Sequence, residues 1–573
     1  MRKIIMLPLL AIPVAALLAF VFPQKQQRAV QIKIIKQSAF GCSPDYNPLT
    51  DGNSISPLSG WGNYQWKIKT SNDSAQFYFN QGINMYYAFH IIEARASFAK
   101  VTELDPNCAM GWWGLALSFG PNINDFGYSA PPDALAAARK AESLSNFYTP
   151  KEKALVHAIN TRYSEDASKS RETLNKAYAD AMRQAFKDLP QDADIAALCA
   201  DALMLLHPWD LYTHDFKPKP WTAEIVQVLE KALKLNPNNP GANHYYIHAM
   251  EASATPERAL ASADRLPQLM PDVSHLVHMP SHIYIRTGNY QKGVQVNADA
   301  VKGYAKYLSV FPDVANNDML YNIHNLHMEA ACNMMMGNYA QSSASALKTQ
   351  QNLAPGVLNY PGPFGHFVQY WYATPVLNLV RFGKWPEIVQ IPVPDSLPYA
   401  KALLHFARGM AFARTQQFQH ANIELTALRV KMDDDASFKE PFTPFNSAYA
   451  ACRVAEEILA GVIAEESGQL DQAIANFTKG VELEDAMVYN EPKDWILPVR
   501  HYLGRALLKA KKYAEAEAVY KKDLLINPHN GWALTGLAEA QQKQGRQAAA
   551  AQSTAAAKKA FKNKDIEVMS SAF

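Results

Sequence analysis

The sequence predicts an all-α fold: a solenoid of stacked helical hairpins behind an N-terminal signal or anchor segment. Two observations carry the prediction. Small residues, an aromatic and a proline return at one fixed spacing near both ends of the chain, and strand-like alternation is scarce throughout. At 573 residues the chain is long enough for several ordinary domains, or for one elongated array that never closes on a single core. The repeats decide for the array.

Arg2 and Lys3 precede an uncharged apolar run from Ile4 to Pro23, so residues 1–23 read as a signal peptide or membrane anchor. No clear small-residue cleavage site is present and no cysteine follows the run directly, which argues against a lipoprotein and leaves an uncleaved anchor open. Nothing later is apolar for long enough to cross a bilayer. The expectation is an exported body, periplasmic or held to the membrane by its N-terminus, with residues 24–72 as an extended lead-in. Outside the cytosol, thiols that meet can stay oxidised. Of the five cysteines, Cys42 in FGCSPDYNPL and Cys108 in DPNCAM lie in loop or turn contexts and are the expected pair, whereas Cys199, Cys332 and Cys452 fall in helical patterns as small buried residues. A chain that is 48% hydrophobic and 19% charged is that of a folded protein, and a net charge of +2 gives no global attraction to nucleic acid.

Counted from Ala75, the stretch AQFYFNQGINMYYAFHIIEARASFAKVTELDP has Gly82, Ala94, Phe98 and Pro106 at positions 8, 20, 24 and 32. Counted from Leu497, LPVRHYLGRALLKAKKYAEAEAVYKKDLLINP repeats this with Gly504, Ala516, Tyr520 and Pro528. Units counted from Val454 (Gly461, Ala473, Phe477) and from His529 (Trp532, Gly536) flank it. Small residues at positions 8 and 20 let the two helices of a hairpin approach, the aromatic at 24 fills the gap to the next unit, and proline near 32 ends the second helix. One hairpin cannot bury its apolar face alone, so the units stack into a right-handed superhelix with an extended concave surface. In the middle, Ala259 and Pro271 fit a unit begun at Pro240, and GNY at Gly288 and at Gly337 marks turns between helices. Two Pro/Gly-rich breaks, PGVLNYPGPFGH (355–366) and DDDASFKEPFTP (433–444), read as loops or lids rather than repeats. The resulting order is an N-terminal and central array over 73–354, a loop at 355–366, helical hairpins over 367–440, C-terminal units over 441–565 and a tail at 566–573.

With this spacing the chain resembles the tetratricopeptide-repeat family. Its segments DPNCAMGWWGLALSFGPN, HPWDLYTH, HMPSHIYIRTG and YNEPKDW resemble those of long exported bacterial members, over most of residues 40–560. The resemblance implies a hairpin solenoid that binds a peptide or protein partner through its concave groove; it implies no reaction. It also implies that the groove is lined mainly by positions 2, 5, 9, 12 and 13 of each first helix. Counted from Pro240, His244, His248 and Glu251 fall at 5, 9 and 12; counted back from Gly288, His275, His278 and His282 fall at 2, 5 and 9; counted back from Gly337, His324 and His327 fall at 2 and 5.

Residues three and four apart on a helix share a face, so His244, His248 and Glu251 form one patch independently of any family. Neutral imidazoles with a carboxylate are the ligand set of zinc, non-haem iron or copper. His278 and His282 from the next hairpin complete or bridge that set, which makes His244, His248, Glu251, His278 and His282 the expected ligands of one transition metal ion. His275, His324 and His327, with Tyr284, Arg286, Glu491 and Asp494, are expected to line the groove around them. Pro280 leaves two local geometries open: a kinked helix, or a helix that begins near Met279 with His275 and His278 in a lead-in loop.

Two function classes follow. One is an exported binding protein whose groove takes a peptide or protein, with no nucleic acid. The other is a metal-binding protein or metalloenzyme holding zinc, iron or copper in the same groove. The segment HPWDLYTHDFKPKPW (207–221), with His207, Asp210, His214 and Asp215 around two tryptophans, reads as a loop anchored by aromatics. Tyr86, Tyr87, Trp112 and Trp113 read as packing between repeats. No phosphate-cradling glycine loop, zinc CxxC pair or GxSxG elbow is present.

Overall fold

The computed structural model describes residues 55–573 except 126–127, 145–148, 311–317, 393 and 395. The signal or anchor segment, most of the lead-in and Cys42 lie outside the described residues, and with them the expected pairing of Cys42 with Cys108. Among the described residues no helix is long and apolar enough to cross a membrane. The same residues form helices joined by short connections, with isolated bridges only at Tyr212 to Pro218 and Pro441 to Ser447.

The helices pair as antiparallel hairpins in chain order. Asp73–Tyr87 packs on Ile91–Leu104, Pro240–Met250 on Leu260–Leu269, Asp318–Met336 on Tyr339–Gln351, Ala448–Glu466 on Leu470–Asp485, Val499–Lys509 on Tyr513–Ile526 and Gly531–Lys543 on Gln547–Ala560. This is a tetratricopeptide-type helical-hairpin solenoid, and the repeat residues do what their spacing requires. The buried Phe98 ring lies between Gly82 and Gly114, and the buried Tyr520 ring between Gly504 and Gly536; a methyl group at any of the four glycines would overlap the ring. Each such buried ring stabilises its junction by about 1.5–3 kcal/mol. Asparagine restarts the chain after the repeat proline: Asn239 Oδ1 accepts from Ala242 N (2.8 Å) and Asn530 Oδ1 from Ala533 N (2.8 Å).

One expectation changes and two readings become definite. The segment 355–366 is not a loop: Pro355–Leu358 and Gly362–Tyr372 are helical, with their prolines in first turns, where a missing N–H costs nothing. The tail at 566–573 is packed. Ser571 Oγ donates to the His501 carbonyl (2.7 Å), and the Phe573 ring packs on Trp532. At Pro280 the kinked helix is the geometry found. Ser274–His278 and Pro280–Arg286 abut at Met279, which keeps helical dihedrals (φ −47°, ψ −37°), so His275 and His278 lie on a helix and not in a loop.

One core runs from Trp61 to Tyr307 and a second from Ile323 to Ala572. The end of the chain returns to the middle: Trp532 Nε1 donates to Met334 O (2.9 Å), Arg286 Nη1 to Ile526 O (3.4 Å), and Asp565 accepts from the backbone of Tyr339 and Ala340 (2.6 and 2.8 Å). That return brings the YNEPKDW segment against the first helices of the histidine-bearing repeats.

Candidate metal centre

Three successive first helices carry the histidines. His244 and His248 lie one turn apart on Pro240–Met250, with Glu251 as the residue that ends that helix; His275, His278 and His282 follow one another along the kinked helix; His324 lies on Asp318–Met336. The register places these side chains on one side of the array, but that side is not an open groove. His244, His248, Glu251, His275, His278 and His282 are between 0 and 6% exposed, and only His324 is partly open. The cover comes from outside the array's own repeats. Glu491 of the returning segment reaches His282 Nδ1, and Trp209 of the 207–221 loop lies edge-on to His248, 5.4 Å between centroids.

The ring nitrogens converge in two sets. In the first, His278 Nε2 lies 2.7 Å from His282 Nε2, which lies 3.5 Å from His324 Nε2. Three nitrogens about 2.0–2.1 Å from one tetrahedral ion stand roughly 3.3 Å apart, so these separations are near those of a three-imidazole site. The opposite nitrogens are tied down. Asn297 Nδ2 donates to Gly293 O (2.8 Å), which fixes its amide with Oδ1 towards His278 Nδ1 (2.6 Å); His278 therefore donates from Nδ1 and keeps the Nε2 lone pair. His282 Nδ1 donates to Glu251 Oε2 (2.7 Å) and to Glu491. A ligating imidazole is held in this way by an amide or carboxylate behind it.

The second set is His244, His248 and His275, each with a nitrogen within 4.8 Å of the others. His244 Nδ1 donates to Tyr87 O (2.7 Å), and His248 Nδ1 lies 3.2 Å from Glu251 Oε1. The Nε2 atoms of both, and both nitrogens of His275, are buried with no hydrogen-bond partner among the described residues. Phe89 packs over this set, 4.6 Å from the His244 ring. Glu251 thus stands between the sets, one oxygen on each.

Electrostatics separate the rings. Burial, reinforced by neighbouring imidazoles, holds His244 down at about 3 and His248, His275, His278 and His324 well below the usual imidazole range, so these stay neutral donors. Burial opposes charge on His282 too, but the Glu491 and Glu251 carboxylates beside it raise it to about 10. Burial and the nearby Glu491 push Glu251 well above the carboxylate range. His282 Nε2 faces His278 Nε2, and the gap between them is the position a cation shared by the two rings takes.

Not every sequence-predicted residue joins the cluster. Tyr284 donates to Asp264 (2.5 Å) on the neighbouring hairpin, because it lies two residues, about 200°, round the helix from His282. Arg286 donates from Nε to Glu251 O (3.0 Å) and from Nη2 to Ser253 O (2.8 Å), satisfying the carbonyls where that helix ends. Asp494 accepts from Asn446 and Asn490 (2.7 and 2.6 Å) and fastens its own loop. His327 packs against Tyr370 and Trp371, away from both sets. Glu491 does reach the cluster, as a partner of His282. Sequence reasoning did not single out Asn297, Phe89 or Trp209 as parts of the site; no local spacing marks them, because each meets the histidines from another helix or loop.

A cavity of about 300 Å³ lies beside the cluster, walled by Trp209, Tyr212, Phe445 and Tyr489, and ending on His248 and Glu251. The 207–221 loop is anchored by aromatics as expected, Tyr212 donating to Ala249 O (2.8 Å) and Trp221 to Asp210 O (2.8 Å), and it also forms one wall of that cavity.

No protein-family model matches the chain, and no curated protein matches it. Among solved structures it is similar to a human IFIT1 dimer with PPP-AAAA (11% identity, 85% of this chain and 90% of that one, TM-score 0.28). It is also similar to yeast Tom70 (10%, 83% and 90%, 0.28) and to the APC/C hetero-tetramer Cut9–Hcn1 (13%, 87% and 95%, 0.27). The tetratricopeptide-type fold stands on this chain's own hairpins and ring-into-glycine packing.

Proposed function

We propose that this helical-repeat protein binds a transition metal ion through the Nε2 atoms of His278, His282 and His324. The observation that carries the reading is the convergence of those three nitrogens while Asn297 and two carboxylates hold the rings from behind. The five-residue set expected from sequence is redistributed. His278 and His282 remain ligands, His324 joins them, Glu251 orients rings from the Nδ1 side, and His244 and His248 belong to the neighbouring set. Imidazole donors suit zinc, copper and iron, and the absence of hard oxygen donors at the three nitrogens disfavours magnesium and calcium. The ion would supply Lewis-acid or redox chemistry when bound; the residues here would position it, with Glu251 and Glu491 holding the His282 ring from behind.

Helical-repeat scaffolds characteristically offer extended surfaces to peptides and proteins. The histidine face of this one is buried, however, so a peptide cannot lie across it, and the groove reading has no observation favouring it at these residues. The test is elemental analysis of the full chain, purified without a histidine tag and exposed in turn to zinc, copper and iron, beside a His278→Ala/His282→Ala variant of matching circular dichroism. At least one equivalent retained by the wild type and lost by the variant supports the reading. No stoichiometric metal in either protein rejects it.

A further inference from the structure

We propose that His244, His248 and His275 form a second metal site beside the first, so that the chain holds a pair of ions whose ligand sets are joined through Glu251. The inference rests on the reading above and extends it.

The geometry points there from four directions. First, the ring orientations are set: a carbonyl oxygen can only accept, so the Tyr87 contact makes His244 Nδ1 the protonated nitrogen and leaves Nε2 as a donor. The Glu251 contact holds His248 from its Nδ1 side and turns Nε2 away from that carboxyl group. Second, the donors so exposed are orphaned. His244 Nε2, His248 Nε2 and both His275 nitrogens are buried without a partner among the described residues, and leaving such a group unsatisfied costs roughly 1–3 kcal/mol. Several of them facing one another is unfavourable for a plain core and is what an ion would repay. Third, a nitrogen from each ring lies within 4.8 Å of the others, so sub-ångström to ångström ring movements bring all three to one centre. Fourth, the walls are dry and aromatic: Phe89 contacts all three rings, with centroid distances of 4.6, 6.0 and 6.0 Å.

The two sets adjoin. His275 and His278 have ring centroids 6.3 Å apart and His248 and His282 6.0 Å apart, while one Glu251 oxygen meets His248 and the other His282. A carboxylate holding one ligand of each ion makes the occupancy of either site sensitive to the other. His248 and Glu251 also line the 300 Å³ cavity, so a small molecule there lies beside the second set and the carboxyl group that joins the two sets. The donor chemistry is all imidazole, neutral and free of thiolate. Copper binds such a set most tightly among the divalent first-row ions, with zinc next in relevance.

The experiment is a copper(II) titration of the tag-free full chain, followed by desalting and metal counting. His244→Gln, His275→Gln and His278→Ala are carried in parallel and checked for wild-type circular dichroism. The expected result is two ions per wild-type chain, with each single variant in the second set retaining one. One ion per wild-type chain, lost in His278→Ala and kept in His275→Gln, overturns the second site and leaves the first reading standing. Two ions retained in His244→Gln and in His275→Gln also overturn it, and no ion at all overturns both. Electron paramagnetic resonance of the loaded wild type decides the matter without variants: a dipolar-broadened or coupled copper signal is expected, and two magnetically isolated centres contradict the pairing.

Discussion

Asn297→Leu separates a metal ligand from a merely packed histidine. Asn297 is fully buried, its Nδ2 bound to Gly293 O and its Oδ1 receiving His278 Nδ1 at 2.6 Å. Leucine keeps the bulk and removes the acceptor. Among the described residues, the other hydrogen-bonding contact at His278 Nδ1 is the Ser281 hydroxyl at 3.4 Å, too distant to replace it. His278 then loses what fixes its tautomer and ring direction. Loss of such an outer partner weakens metal binding about 10–100-fold, or roughly 1.4–2.7 kcal/mol. The same change costs the metal-free fold about 1–3 kcal/mol for the orphaned ring N–H. The assay is zinc competition against a chromophoric chelator at neutral pH, with thermal melting of the metal-free protein alongside. A melting point that falls while zinc affinity stays within twofold refutes the reasoning, because His278 would then be a core residue and Asn297 its structural partner only.

Other consequences are separable from the metal. Asp523 accepts from Asn530 and Asn527 (2.8 and 3.0 Å) and faces His501 (3.1 Å); burial raises it, but His501, Asn530 and Lys493 outweigh burial and hold it at about 2. A carboxylate depressed from 3.8 to about 2 contributes about 2 kcal/mol, present in full above pH 4 and lost as pH falls through 2. The stability gap between wild type and Asp523→Asn, read by urea unfolding, should therefore narrow by about half from pH 6 to pH 3; a gap that does not narrow contradicts the assignment. Gly536→Ala drives a methyl into the Tyr520 ring and should cost about 1–3 kcal/mol in thermal stability. Gly356→Ala, in a helical turn with nothing nearby, should be neutral or stabilising by up to about 1 kcal/mol. Equal effects at the two glycines would contradict the repeat packing.

How much of this was legible in the sequence depends on range. The hairpins were legible because Gly82, Phe98, Gly504 and Tyr520 act within one unit or between neighbours, and that spacing survives in the linear chain. The same register carried His244, His248, His275, His278, His282 and His324 to one side. What it could not give was burial. The histidines are covered because the chain end returns through Trp532 and Arg286 contacts, bringing Glu491 to His282 from more than two hundred residues away. Local spacing carries no signal of such closure. Asn297 was invisible for a related reason: it sits on the second helix of its hairpin, where an asparagine without a cap or turn around it reads as an ordinary polar residue. Tyr284 was within reach, since its position two residues past His282 already turns it away from the cluster.

The central claim is that imidazole nitrogens from three successive repeats hold metal, and anomalous X-ray diffraction from crystals of the zinc- or copper-loaded full chain tests it most directly. The account predicts a peak at the metal's absorption edge about 2.0–2.3 Å from Nε2 of His278, His282 and His324, and a second one among His244, His248 and His275. Loaded crystals with their anomalous peaks only at surface residues, and none within the cluster, would contradict it.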